Sequence, residues 1–222
     1  MQYFGFDKNI GQGNRFGFGD AAITNPELPV SKIPTDYILR YNLDGDAMDS
    51  STSGLDGVLT GSTSFVAGRK PNTQALKFSV GCLKSSGIVP INSSCVTASM
   101  WFKKTTPTFG AIIELSSSPD ANNAFNSLFS NYANDGRLTM SHSNKGTNAT
   151  TDTTTQSLSD GVWHHLIIQF WRNPDSGVSA NIIYLDGIQL SLTSNSKSSF
   201  TGNFKNDVIF FGQRDSQFLP YD

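Results

Sequence analysis

Glutamate is nearly missing from this chain. Among its 222 residues only Glu27 and Glu114 occur. Helical surfaces usually draw on Glu, Lys and Ala, so the scarcity argues against helices and for strands. Charge of either sign is thin, at 15% of residues; typical soluble domains carry roughly 25%. Ser, Thr, Asn and Gly fill the gap, and these suit turns and strand surfaces. No basic stripe exists. The adjacent basic pairs are Arg69-Lys70 and Lys103-Lys104, and the formal net charge is −2. A nucleic-acid surface clusters positive charge on one face, so nucleic acid is set aside as a partner. No apolar run is long enough to cross a membrane as a helix, so no membrane insertion is expected.

A signal peptide is also lacking. Residues 1–19 have no basic segment followed by an apolar core. With Met1 at the start, the expectation is a protein made and used without Sec export. Cysteine is scarce, with Cys82 and Cys95 alone. They flank a loop containing Ser85-Ser86-Gly87 and Pro90, across which a disulfide is geometrically conceivable. Nothing in the sequence points to an oxidising compartment, which favours two reduced thiols in or near strands.

What is present divides the chain in two. Residues 1–35 place Phe4, Phe6, Phe16 and Phe18 among Gly5, Gly11, Gly13, Gly17 and Gly19, followed by Pro26, Pro29 and Pro34. This is neither a periodic helix nor a long strand, and it reads as an extended arm. Either the arm docks on a partner chain through these phenylalanines or it wraps its own domain.

Residues 36–222 alternate short strand-like runs with turn clusters. The length suffices to bury a core without metal or disulfide help. Tyr37–Tyr41 reads as a first strand, ending at Asp44-Gly45. Residues 54–61 read as a loop, and Ala75–Phe78 as a short strand. In Cys95–Phe102, Val96, Ala98, Met100 and Phe102 alternate with Thr97, Ser99 and Trp101, the period of a strand with one face buried. Ala111–Leu115, Ser127–Phe129 and Arg137–Met140 continue the series, and residues 141–158 read as loop and solvent-facing strand. Trp163–Trp171 is the strongest apolar run. Ala180–Leu185, the turn Asp186-Gly187 and Ile188–Leu192 read as a hairpin. Asp207–Phe211 is the last clear strand. Many short strands and frequent turns imply an all-β sandwich or jelly roll.

At this point the order of motifs resembles the laminin-G-like, concanavalin A-like jelly rolls of bacterial surface and phage proteins. The segment Tyr41–Ser51 is similar to that family's first strand and Asp-Ser-rich loop. Gln74–Phe78, Thr97–Lys103, Trp163–Leu166, Tyr184–Gly187 and Phe210–Gly212 resemble its later motifs in the right order. The likeness covers about residues 37–213 and implies a two-sheet antiparallel jelly-roll sandwich. One departure stands out: the family closes with a further strand after the late glycine, lying beside the first strand, and this chain ends at Pro220-Tyr221-Asp222. Either the last strand lies beyond residue 222, or another segment fills the place, the 1–35 arm or a neighbouring chain, since the strand's absence would leave backbone groups unpaired.

Chemistry is sparse. Laminarinase-type glucanases that share the architecture carry two Glu flanking an Asp on one strand, a motif two glutamates so far apart cannot supply. Asp44 and Asp46 are the formal carboxylate alternative. Gly-x-Ser-x-Gly is absent, and the histidines are His142, His164 and His165. The last two share a strand and point to opposite faces, the inward one reading as a hydrogen-bonded core residue and the outward one as surface. Calcium is the most credible cofactor, since Asp44, Asp46 and Asp49 offer hard oxygen ligands on one loop. The plain alternative is that these aspartates cap turns through their own backbone. For a sugar, Trp171, Tyr132, Tyr184 and Phe125 are platforms by residue type, while Trp101 and Trp163 read as core or sheet surface.

The expectation is therefore a non-catalytic structural or adhesion module of a virion. Its arm would meet other virion proteins or a second copy of itself, and its lectin-like domain a cell-surface glycan. The alternative is an extracellular carbohydrate-binding module of a bacterial surface protein. A glycan-active enzyme is the remote third.

Overall fold

In a computed structural model of the chain, residues 4–7, 37–105, 110–116, 125–132, 135–143, 149–172, 179–196 and 203–212 are described. Among them there are fourteen strands and no helix. The strands form two antiparallel sheets. The front sheet contains β1 (Phe4–Asp7), β2 (Tyr37–Tyr41), β5 (Cys95–Phe102), β10 (His164–Arg172), β11 (Ser179–Leu185) and β12 (Ile188–Gln189), in the order β12-β11-β10-β5-β1-β2. The back sheet contains β3 (Gly57–Ala67), β4 (Gln74–Ser85), β6 (Gly110–Ser116), β7 (Phe125–Tyr132), β8 (Arg137–Ser143), β9 (Ala149–Ser157), β13 (Leu192–Ser196) and β14 (Ile209–Phe211), in the order β13-β9-β8-β7-β6-β14-β4-β3. The result is a two-sheet antiparallel jelly-roll sandwich.

Period-two alternation builds the core. On β5, Val96, Ala98, Met100 and Phe102 are buried, and on β10 so are Leu166, Ile168 and Phe170. These two strands pair in full register from His164↔Phe102 to Trp171↔Cys95, so their apolar rows lie side by side. They meet Ile113, Leu115, Leu138, Met140, Ile209 and Phe211 of the back sheet in one cluster. The Tyr41 ring of the front sheet meets the Phe211 ring of the back sheet edge-on, centroids 6.1 Å apart. Tyr41 is wholly buried and its hydroxyl donates to the Leu55 carbonyl at 2.7 Å, so a core tyrosine keeps its polar tip satisfied. A second cross-sheet tie is polar: the buried Asn181 side-chain amide on β11 donates to Asp152 on β9 at 2.7 Å.

Three elements differ from the sequence reading. Residues 57–61, read as loop, open the eleven-residue strand β3. Gly61 stands opposite Gly81 of β4 with a bulge next to it, so glycines that look like loop markers mark a close backbone approach instead. Residues 149–157 form a full strand whose Asp152, Thr153 and Thr154 are buried, because Asp152 pairs across the sandwich with Asn181 and the two threonines bond β8 within the sheet. The return after Asp186-Gly187 lasts only two residues. The turn itself is tight, with both central residues at positive φ (51° and 85°), but after β12 the chain crosses to the back sheet as β13 against β9.

The place beside β2 is taken by β1, which pairs antiparallel with β2 (Phe4↔Tyr41, Asp7↔Tyr37) and with β5 (Gly5↔Ser99). Phe4 therefore holds a register position within the front sheet, and Phe6 falls at the irregularity between Gly5 and Asp7. Phe16 and Phe18 lie outside the described residues. Cys82 on the back sheet and Cys95 on the front sheet are not joined by a disulfide, and the Cys82 sulfur lies 2.9 Å from the Thr60 hydroxyl.

Candidate functional site

The two sheets part at one end, where β5 finishes and β4 begins. The opening is a cavity of about 350 Å³, at the small end of ligand pockets, which run roughly 300–1,000 Å³. Trp101, Phe102 and Trp163 wall it on the front-sheet side and Phe78 and Phe211 on the back-sheet side. Its charged lining residues are Lys77 and Lys103, both exposed, and no described lining residue carries a carboxylate, thiol or imidazole. Gly212 closes the back-sheet side. Its φ is +89°, and a Cβ there would sit 2.3 Å from the Phe78 ring, so only glycine lets β14 end against that ring.

Local sequence explains how Trp163 is held. It precedes β10 rather than standing in it, on a loop that begins at Asp160. The Asp160 carboxylate accepts the Val162 N–H at 2.9 Å, closing an Asx turn, and the Gly161 N–H donates to the Lys104 carbonyl at 2.8 Å. Behind it, the His164 ring is clamped by two carboxylates: Nδ1 lies 2.6 Å from Asp186 and Nε2 lies 2.9 Å from Asp160. Carboxylates only accept, so making both bonds requires the doubly protonated ring. Burial works against that charge, but the hydrogen bonds from Asp186 and Asp160, with their negative charge, outweigh it and raise the His164 pKa above its ordinary value. Asp186 also accepts the His165 N–H at 2.9 Å. The clamp thus fastens the loop carrying Trp163 to the turn between β11 and β12.

Trp101 is held differently. The Arg69 guanidinium lies over its ring, 3.8 Å from the centroid, and the His165 ring stands 5.1 Å away. His165 lies 3.0 Å from the Ser99 hydroxyl. Burial, reinforced by the Arg69 charge and opposed by Asp186, lowers its pKa and keeps the ring neutral. The outward histidine is therefore packed beneath Trp101 rather than left as free surface. Among the described residues no ring or cation stacks on Trp163, whose face is the available aromatic surface of the cleft.

The other predicted positions lie elsewhere. Asp44 accepts the Gln74 N–H at 2.6 Å and Asp46 the Met48 N–H at 3.1 Å. Asp49 accepts from the Arg40, Ser51 and Leu55 N–H groups and the Ser51 hydroxyl, all within 3.0 Å. Asp46 and Asp49 thus cap their own turns, and Asp44 ties its loop to the start of β4. Among the described residues no three His, Cys, Asp or Glu side chains converge as a metal site. Trp171 and Tyr184 lie on the outward side of the front sheet, Trp171 36% exposed and at the far end of β10 from the cleft. Phe125 and Tyr132 occupy the two ends of β7. Glu114 is buried in β6; Glu27 lies outside the described residues. Sequence reasoning passed over Trp163 as a strand residue. The Asp160-Gly161 turn signal before it could have placed it on a rim loop.

The chain is similar in backbone path to several solved structures, of which two follow. One is the native heptameric SAP-like pentraxin from Limulus polyphemus (TM-score 0.44, 16% identity, 69% of this chain). The other is the alginate lyase Aly36B (TM-score 0.32, 9% identity, 74% of this chain and 72% of that one). This chain spans 64% of the pentraxin chain. No family model and no curated protein matches it in sequence.

Proposed function

We propose that this chain is a non-catalytic carbohydrate-binding module whose site is the cleft between the sheet ends. The observation that carries the reading is the uncovered Trp163 in an aromatic cavity of about 350 Å³ that opens beside polar, exposed side chains. A sugar presents an apolar ring face and a polar rim. It fits a site with one free aromatic wall and hydrogen-bonding groups at the mouth. Glycoside hydrolysis uses two carboxylates flanking the bond, and the described lining of the cleft holds none. Affinity electrophoresis through gels containing purified polysaccharides tests this. At least one polysaccharide should retard the chain, Trp163→Ala should abolish the retardation, and Trp171→Ala should keep it. Retardation that ignores Trp163, or none with any polysaccharide, defeats the reading.

A second reading places the module in a structural or adhesion protein of a virion, with residues 1–35 as its attachment. What supports it is the Phe- and Gly-rich sequence that follows β1, which includes Phe16 and Phe18. Light scattering on the full chain and on a Phe16→Ala/Phe18→Ala variant, which leaves β1 of the front sheet intact, tests it. A defined oligomer lost in the variant supports attachment through this segment, and two folded monomers refute it.

A further inference from the structure

Among the described residues four strands end the two sheets, and three of them are guarded. β12 is two residues long. β13 is five residues long and carries an irregularity between Ser194 and Ser196. The free side of β2 is covered by the loop that follows it. The Ser50 N–H donates to the Arg40 carbonyl at 2.8 Å, the Arg40 N–H to the Asp49 carboxylate at 2.9 Å and the Ser51 hydroxyl to the Ile38 carbonyl at 3.0 Å. β3 is different. Charged side chains and prolines keep sheet edges from pairing, and its eleven residues, about twice the usual strand length, include neither. The loop after β2 meets it at Gly57, whose N–H donates to the Ala47 carbonyl at 2.7 Å. Beyond Gly57 no described strand pairs with its outer side, and Val58, Leu59 and Val66 are exposed.

The parity of β3 suits a copy of itself. Leu59 stands opposite the core residue Leu83, and Phe65 packs against the core, so odd-numbered side chains face inward and Val58, Ser62 and Val66 face out. The Asp56 carbonyl accepts from Ser86 and the Gly68 N–H donates to Thr73, both toward β4, so odd-numbered backbone groups point to the open edge. The strand bends at Gly61, φ +68°, without changing that parity. We infer that β3 pairs antiparallel with β3 of a second copy about a two-fold axis at Ser62. This register sets Leu59 against Phe65 and Val58 against Val66 of the other copy, apolar against apolar, with Ser62 facing itself. The ends match in charge. Asp46, Asp49, Asp56 and Lys84 stand at the Gly57 end. Arg69, Lys70, Lys77 and Asp44 stand at the Ala67 end, so a net negative end meets a net positive one. Val66 and Ala67 also line the cleft, so each cleft would be bordered by Val58 of the other copy.

Sedimentation equilibrium on the full chain tests this. The unmodified chain should form a dimer. Ser62→Lys and Ser62→Glu each set like charges face to face at an exposed position, and each should weaken the dimer at least about tenfold. An equal mixture of the two variants should restore it as a heterodimer, which a misfolded variant would not do. A monomeric unmodified chain, a dimer that either variant leaves intact, or a mixture that stays monomeric overturns the inference. An oligomer that Ser62→Lys keeps and Phe16→Ala/Phe18→Ala loses also overturns it and belongs to residues 1–35. Sugar binding is not part of the readout, so each outcome leaves the carbohydrate reading untouched.

Discussion

The two ends of the sandwich are built from similar residues and used differently. At the end where β10 finishes, Arg172 points inward, is buried, and lies under Phe204 with its guanidinium 4.1 Å from the ring centroid. Burial lowers its pKa to about 10, which still leaves it charged at neutral pH. Its backbone N–H donates to the Ser94 carbonyl and its side chain to the Asn203 carbonyl, and Asn203 in turn bonds Asn92. A depression nearby is lined by Ile91, Asn92, Lys205 and Asn206, with no aromatic residue. At the end where β10 starts, an arginine again covers an aromatic ring, but beside it Trp163 is left uncovered and the sheets stay apart. A cation on a ring plugs one end; an additional free ring makes the other a cleft. The pairing alone is not a functional signal. What matters is the ring left over.

Substitutions can break this comparison. The largest effect belongs to the packed end. Phe170→Ala should lower unfolding free energy by about 3–5 kcal/mol, as for other buried phenylalanines, without altering glycan affinity in the surviving folded fraction. Urea denaturation read by tryptophan fluorescence measures it. Next comes Gly212→Ala. The positive φ and the clash with Phe78 should together cost about 1–3 kcal/mol and weaken sugar binding, because Phe78 lines the cleft. Trp163→Ala should reverse the balance. Its ring is only partly buried and lies outside the core cluster, so stability should fall by less than about 2 kcal/mol. Affinity should drop roughly thirtyfold if the ring is the central contact.

The smallest effect concerns the clamp behind Trp163. The raised His164 pKa gives stability that is present below the ordinary histidine range, around 6.5, and is lost as pH rises through the folded value. Asp186 and Asp160 have lowered pKa values despite the opposing effect of burial on each. For Asp186 the leading cause is the His164 hydrogen bond and for Asp160 the Val162 N–H, with His164 second. Their contribution is present above about 3.9 and is lost as pH falls through the folded values. The clamp should therefore stabilise most between roughly pH 4 and 6.5. Both carboxylates are about half exposed, so the contribution should stay below about 1 kcal/mol. A melting-temperature profile against pH should show a shallow decline from pH 6 to 9 that His164→Gln flattens. An unchanged profile in the variant would remove the clamp from the account.

Much of the fold was legible because its strands follow period two. Cys95–Phe102 falls where the alternation puts it, Tyr37–Tyr41 where a short apolar run precedes the Asp44-Gly45 turn, and Asp186-Gly187 makes the turn its chemistry demands. What misled was polar or glycine-rich sequence that folds as strand anyway. Gly61 reads as a breaker until Gly81 stands opposite it, and Asp152 reads as solvent-facing until Asn181 meets it across the core. These depend on partners far away in sequence. The site was less legible than the fold for the same reason. Trp163, Trp101, Phe78 and Phe211 belong to different elements, and no local spacing links them. Asp44, Asp46 and Asp49 cluster in sequence, yet they are spent on separate backbone donors.

The three tryptophans allow the most direct test. Trp101 and Trp163 line the cleft, and Trp171 sits at the far end of β10. Each contributes one indole N–H signal to a proton–nitrogen correlation spectrum. On titration with fragments of a polysaccharide that retards the chain, the Trp163 signal should move most, Trp101 should move with it, and Trp171 should stay in place. A shift confined to Trp171, or a bound sugar that leaves Trp163 unmoved, would contradict the assignment of the open end as the binding site.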